Sequence, residues 1–174
     1  EPEPRRSLDL DIVHEAGDWQ TLGNDFESIL APVLAAIEQH PALAQMLPAE
    51  ACLALLDDAA MRRLNGQFRA KDKPTNVLSF PAAPPSQSRK VTGPRPLGDI
   101  ALGYETVLRE ATEQAVTTLA HVRHLVLHGL LHLMGYDHES EAEAEAMERL
   151  EIEILAGIGI ANPYEEAATG PLAP

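Results

Sequence analysis

The stretch His128-Gly129-Leu130-Leu131-His132-Leu133-Met134-Gly135-Tyr136-Asp137-His138 sets the reading of the whole chain. Residues four apart on a helix share a face, with Cβ atoms roughly 5–6 Å apart. His128 and His132 can therefore point at one ion, each reaching a zinc at about 2.0–2.1 Å. Gly135 suits the left-handed conformation that ends a helix and reverses the chain. His138, past that turn, can return to the same ion from outside the helix. Three neutral nitrogen ligands with one position open is the catalytic form of a zinc site. The expectation is one Zn2+ per chain, held by His128, His132 and His138. A lone histidine on a helix face is usually an ordinary polar residue, but three at this spacing around a glycine turn are hard to explain as packing.

The spacing is that of the metzincin peptidases, His-Glu-x-x-His-x-x-Gly-x-x-His. One position departs. Where those peptidases carry the glutamate that acts as general base, this chain has Gly129, which cannot take a proton.

Outward from the histidines the pattern is mixed. Leu8, Leu10 and Ile12 alternate with polar residues at strand spacing. Phe26, Ile29, Leu30, Val33, Leu34 and Ile37 recur at helical spacing, with Asn24 or Asp25 as cap and Pro32 in or near the first turns. Cys52–Leu56 reads as a buried strand, and Asp57 or Asp58 can cap a helix running to about Phe68. Asn76–Pro81 and Leu97–Tyr104 read as further strands, separated by a Pro-, Ser- and Gly-rich loop over Ala82–Pro96. From Glu105 the pattern predicts one long helix into the histidine cluster, then a second from Glu139 to about Ala156, ended by Gly157 and Gly159. Strands alternating with helices, then helices alone, predict an α/β (α+β) fold. The expected domain covers residues 7–164, a small mixed sheet covered by helices with the metal site near its C-terminal end. Residues 1–6 and 165–174 read as tails.

The chain has 174 residues, an apolar fraction of 45% and a single cysteine. That is enough for one core, and it rules out an intrachain disulfide or a thiolate metal cage. Cys52 lies in an apolar run and is expected to be a buried structural thiol. No apolar run approaches the ~18 residues of a membrane span, and no signal-peptide pattern opens the chain. A cytoplasmic protein with no membrane partner is expected. The formal net charge is −14. Its distribution matters more, because Arg62, Arg63, Arg69, Lys71, Lys73, Arg89, Lys90 and Arg95 lie together with only Asp72 among them. Local potential governs docking of a polyanion more than total charge does. A solvated basic loop is the plainer alternative.

These features converge on a family. The histidine run resembles the YbeY family of bacterial endoribonucleases, whose hallmark is His-Gly-x-Leu-His-Leu-x-Gly-Tyr-Asp-His. Asn65-Gly66-Gln67-Phe68-Arg69-Ala70-Lys71-Asp72-Lys73-Pro74-Thr75-Asn76-Val77-Leu78-Ser79-Phe80-Pro81 is similar to a second family block. Leu97-Gly98-Asp99-Ile100 and Met147-Glu148-x-x-Glu151 resemble a third and a fourth. The likeness spans roughly residues 50 to 164. It implies a cytoplasmic, zinc-dependent, single-strand-specific endoribonuclease acting in 16S rRNA maturation and ribosome quality control. The implied partners are single-stranded RNA or an rRNA precursor, and the small ribosomal subunit or its assembly factors. The family's metal ligands fall on His128, His132 and His138, and its invariant arginine on Arg69. The implied fold is one α/β domain with the metal helix packed on a small sheet.

By itself Arg69 reads as a surface ion-pair partner, for instance of Asp72. Beside the metal its guanidinium would grip a phosphate through two parallel hydrogen bonds. Asp137 is the second candidate catalytic residue. It can orient a histidine, accept a proton, or cap the helix that begins near Glu139, and the sequence leaves these open. His124 and His121 are either supporting donors or structural histidines, while His14 and His40 look incidental. Thr75, Ser79 and Asp99 either shape the cleft or serve strands and turns. Glu139–Glu153 reads as a solvated acidic face, with Met147, Leu150 and Ile154 buried beneath it. Two other functions fit the residues less well: a metallopeptidase or amidohydrolase, and a non-catalytic ribosome-associated module with a structural metal.

Overall fold

Successive strand side chains point to opposite faces of a sheet, so the alternation at Leu8, Leu10 and Ile12 commits those residues to one side. The computed structural model describes residues 6–69, 75–82, 93–137 and 139–165, apart from the side chains of residues 68 and 69. Among these, β1 (Leu8–His14) runs parallel to β2 (Ala49–Leu56), and β2 runs parallel to β4 (Arg95–Gly103). An antiparallel edge strand, β3 (Val77–Pro81), completes the order β1-β2-β4-β3. The register aligns Ile12, Leu53, Ile100 and Ser79 across all four strands.

That row faces the main core. Leu53, Ile100 and Leu102 meet Leu30, Val33 and Ile37 of α1 (Phe26–Gln39) and Val126, Leu130 and Leu131 of α5 (Thr118–Leu133). Ile154 and Leu155 of α6 (Glu141–Gly157) complete it. The opposite face holds a smaller cluster of Leu56, Leu78 and Ala101 around Met61 of α3 (Asp58–Arg69). Between α1 and β2 lies α2 (Pro41–Ala44), capped by His40, whose Nδ1 accepts from Ala42 N at 3.2 Å. Trp19, fully buried in a 3-10 turn, donates its indole N–H to Leu56 O at 2.9 Å. Neither of those short elements is expected from periodicity, which needs longer windows to register.

The expected α/β architecture holds, with three local corrections. The helix predicted to run unbroken from Glu105 is two helices, α4 (Tyr104–Gln114) and α5. Ala115 takes a left-handed conformation at φ 56° and ends α4, while the Thr117 hydroxyl accepts from Ala120 N and starts α5. Alanine carries no breaking signal, and only the Thr117 cap marks the join. Cys52, expected to be buried, is exposed. Its strand has one covered and one open face here, and Cys52 aligns with Asp11 and Asp99 on the open one. Partial desolvation, with the Asp99 and Asp11 carboxylates nearby, raises the thiol's pKa. Pro32 lies well inside α1 rather than near its start. Smaller shifts follow at the ends: β4 begins at Arg95, and Ser140 caps an α6 that starts at Glu141.

The position of α3 is set from its first turn. The Asp57 carboxylate accepts from Ala60 N at 2.8 Å. The next residue ties two helix starts together, because Asp58 accepts from Thr106 N at 3.0 Å and from Thr106 Oγ1 at 2.9 Å. Its own N–H donates to Glu105 Oε1 at 2.7 Å. Thr106 is buried, so losing the acceptor leaves two donors without a partner. Asp58→Ala is expected to lower stability by about 1–3 kcal/mol, read as a shifted urea midpoint. A wild-type midpoint would show that the α3–α4 junction is held by apolar packing alone.

Candidate metal centre

Helix α5 is apolar on most of its circumference, and Leu125, Val126, Leu127, Leu130 and Leu131 are all buried. A helix buried this thoroughly has little room for polar side chains. It packs closely on the sheet at Gly129. A Cβ built there would lie 3.1 Å from both Cδ1 and Cγ2 of Ile100 on β4. The helix backbone here rests directly on the Ile100 side chain.

His128 and His132 project from the flank of the same helix, with ring centroids 4.8 Å apart and planes at 79°. The helix then ends as its sequence predicts. Gly135 has φ 105°, Gly135 N donates to His132 O at 3.0 Å, and Tyr136 N donates to Leu131 O at 3.0 Å. This pair of bonds satisfies the last carbonyls and turns the chain at a residue where only glycine sits without strain.

A carboxylate from α6 reaches the histidines from behind. Glu151 is fully buried, and its Oε1 lies 2.9 Å from Nδ1 of His128 and 3.2 Å from Nε2 of His124. Its Oε2 accepts from the Tyr164 hydroxyl at 2.8 Å. Burial by itself pushes the Glu151 pKa up. The donors on His124, His128 and Tyr164 outweigh that and hold it at about 2. Burial and the neighbouring Glu151 charge raise the Tyr164 phenol, which stays protonated as a donor. A carboxylate oxygen only accepts, so His128 faces Glu151 with Nδ1 as the donor.

The structure brings His128 and His132 together as the sequence predicts. His138 lies outside the described residues, as does the side chain of Arg69, whose backbone ends α3. Among the described residues no group of three His, Cys, Asp or Glu side chains is arranged to hold a metal. Asp137 is half-buried past the turn, and the cap of α6 is supplied by Ser140, whose hydroxyl accepts from Glu143 N at 3.1 Å. His121 is structural: buried, it sits 2.9 Å from Glu110 Oε1, which also accepts from Asn76 Nδ2. His14 lies 2.7 Å from Gly17 O, and His40 joins α2 to α6 through Glu153. Ser79 aligns with Ile100 and so shares the α5 side of the sheet, whereas Asp99 aligns with Cys52 on the other side.

Glu151 is the residue that reading the acidic helix as a solvated face misses. The signal was present, since Met147, Glu151, Ile154 and Leu155 form one stripe at helical spacing with a single charge inside it. The donor set fits a metal ion: two imidazoles on one flank, one of them oriented by a buried carboxylate.

Comparison with known proteins identifies the family. The family model described as endoribonuclease YbeY matches residues 12–159. A protein named endoribonuclease YbeY from Rhodopseudomonas palustris (strain BisA53) is 52% identical over 78% of this chain and 80% of its own length. Another of that name from Bradyrhizobium sp. is 48% identical over 90% of this chain and 92% of its own. A solution structure from Thermotoga maritima superposes with a TM-score of 0.51 at 25% identity, covering 86% of this chain and 91% of that one. No helix among the described residues is long and apolar enough to cross a membrane. The chain belongs to the endoribonuclease YbeY family.

Proposed function

We propose that this protein is a zinc-dependent endoribonuclease that hydrolyses phosphodiester bonds in single-stranded RNA. The observation that carries the reading is the histidine pair on α5, with Nδ1 of His128 held by the buried Glu151 carboxylate. His128, His132 and His138 would hold one zinc ion. When bound, zinc supplies Lewis acidity toward a phosphoryl oxygen and acidifies a water. The protein's own side chains do the rest. Arg69 grips the scissile phosphate and stabilises charge that develops on it, and Asp137 accepts or relays a proton beside the third ligand. The basic stretch from Arg62 to Arg95 draws the strand in, against a chain otherwise strongly acidic. Within this reading the natural substrate is a 16S rRNA precursor on or near the small ribosomal subunit, which places the protein in the cytoplasm.

A peptidase reading finds no support at position 129. The glutamate that such enzymes use is replaced by Gly129, where a Cβ would already lie 3.1 Å from the Ile100 side chain. The third reading, a structural metal in a non-catalytic module, calls for a fourth protein ligand that the histidine run does not offer.

Four measurements test these assignments. Incubation with defined single-stranded RNA, duplex RNA and casein should show chelator-sensitive cleavage of the single strand alone, weakening steeply as salt rises. Proteolysis without RNA cleavage by the same zinc-loaded sample would reverse the ranking. His132→Ala should lose stoichiometric zinc by elemental analysis, because two nitrogen ligands rarely suffice. Arg69→Lys should be nearly as slow as Arg69→Ala, each down roughly 10²–10³-fold, with zinc content and melting temperature kept. Good turnover in Arg69→Lys beside an unstable Arg69→Ala would make Arg69 a structural residue instead. Finally, Gly129→Glu should lose about 3 kcal/mol or more of stability in urea unfolding, since a carboxylate is forced against Ile100 without a partner. A wild-type midpoint for that variant would contradict the close approach of α5 to β4.

A further inference from the structure

We propose that Glu151, backed by Tyr164, is a positioning residue that presets His128 for metal binding by holding its proton on Nδ1. This inference rests on the reading of His128 as a zinc ligand.

The geometry is specific. Glu151 is the one carboxylate among the described residues that is fully buried, and it spends both oxygens on this cluster. Oε1 serves Nδ1 of His128 and Nε2 of His124, and Oε2 serves the Tyr164 hydroxyl. A free imidazole distributes its proton over both nitrogens, so a metal site must otherwise select the correct form on binding. An acceptor locked behind Nδ1 removes that cost and makes Nε2 the more basic donor. The carboxylate itself is locked because its helix is buried through Met147, Leu150, Ile154 and Leu155.

Tyr164 supplies the other half of the clamp. It lies beyond the end of α6, where Ile158 and Ile160 pack back on the core and Asn162 Oδ1 accepts from Tyr164 N at 2.8 Å. Its ring stands edge-on to His124 with centroids 5.6 Å apart. His124 in turn stands edge-on to His128 at 6.4 Å. The segment after α6 thereby fixes Glu151 and walls off the back of His124.

The test uses the full chain and three variants: Glu151→Gln, Glu151→Leu and Tyr164→Phe. Glutamine keeps an acceptor oxygen without the charge, and leucine removes the acceptor. Long-range 1H–15N spectra of histidine-labelled apo protein at neutral pH should show the Nδ1–H form of His128 in wild type and Glu151→Gln. Glu151→Leu should shift it toward Nε2–H. Zinc affinity, measured by competition with a chromogenic chelator, should fall in the order wild type, Gln, Leu. The full loss is expected to be roughly 10–100-fold, with a smaller loss for Tyr164→Phe. Wild-type zinc affinity in Glu151→Leu, or an Nε2–H form of His128 in the wild-type apo protein, would overturn the positioning role while leaving the metal centre standing. Absence of zinc binding by wild type that shows the Nδ1–H form would overturn the metal centre, and this proposal with it.

Discussion

Helix α5 touches strand β4 through a glycine, and the placement of the site follows from that contact. At Gly129 a Cβ would lie 3.1 Å from the side chain of Ile100, so the helix packs tightly on the sheet on this face. Each helical residue advances about 100°, which puts both His128 and His132 roughly 60–100° to one side of the contact. They emerge on one flank, beside the sheet rather than into it. The flank they share is the one that α6 approaches.

The second constraint is electrostatic. A protein with a formal charge of −14 turns one glutamate entirely inward. Burying a charge is costly unless its lone pairs are satisfied, and removing any single partner leaves the rest exposed to that cost. Glu151 meets the requirement with donors from two elements: His124 and His128 on α5, and Tyr164 after α6. The cluster therefore couples the end of the described chain to the histidine helix. Glu110 repeats the device one turn earlier on α5, pairing with buried His121 while holding Asn76 at the start of β3. Two carboxylates thus hold three of the histidines of α5, one from each neighbouring helix.

Much of this was legible in the chain. Alternation at Leu8, Leu10 and Ile12 and the periodicity from Phe26 to Ile37 predicted β1 and α1 because one-sided burial leaves a period in the sequence. Gly135 announced the turn because no other residue takes its backbone conformation without strain. The break between α4 and α5 was hidden for the opposite reason: Ala115 favours helix, and its left-handed conformation comes from surroundings rather than from its own preference. Cys52 was misread because an apolar run looks the same whether both faces of a strand are covered or only one.

The pattern of residue types by itself determined the α/β class, the histidine pair on one helical flank and the family to which the chain belongs. Those properties depend on spacing along the chain, which periodic backbone geometry converts directly into shared faces. Only the tertiary structure decided that Glu151 faces inward, that Gly129 packs against Ile100, and that Tyr164 returns to the histidines. Each of these depends on two segments far apart in sequence meeting at one distance. A glutamate in an acidic helix carries no local mark of the partner that will pay for its burial.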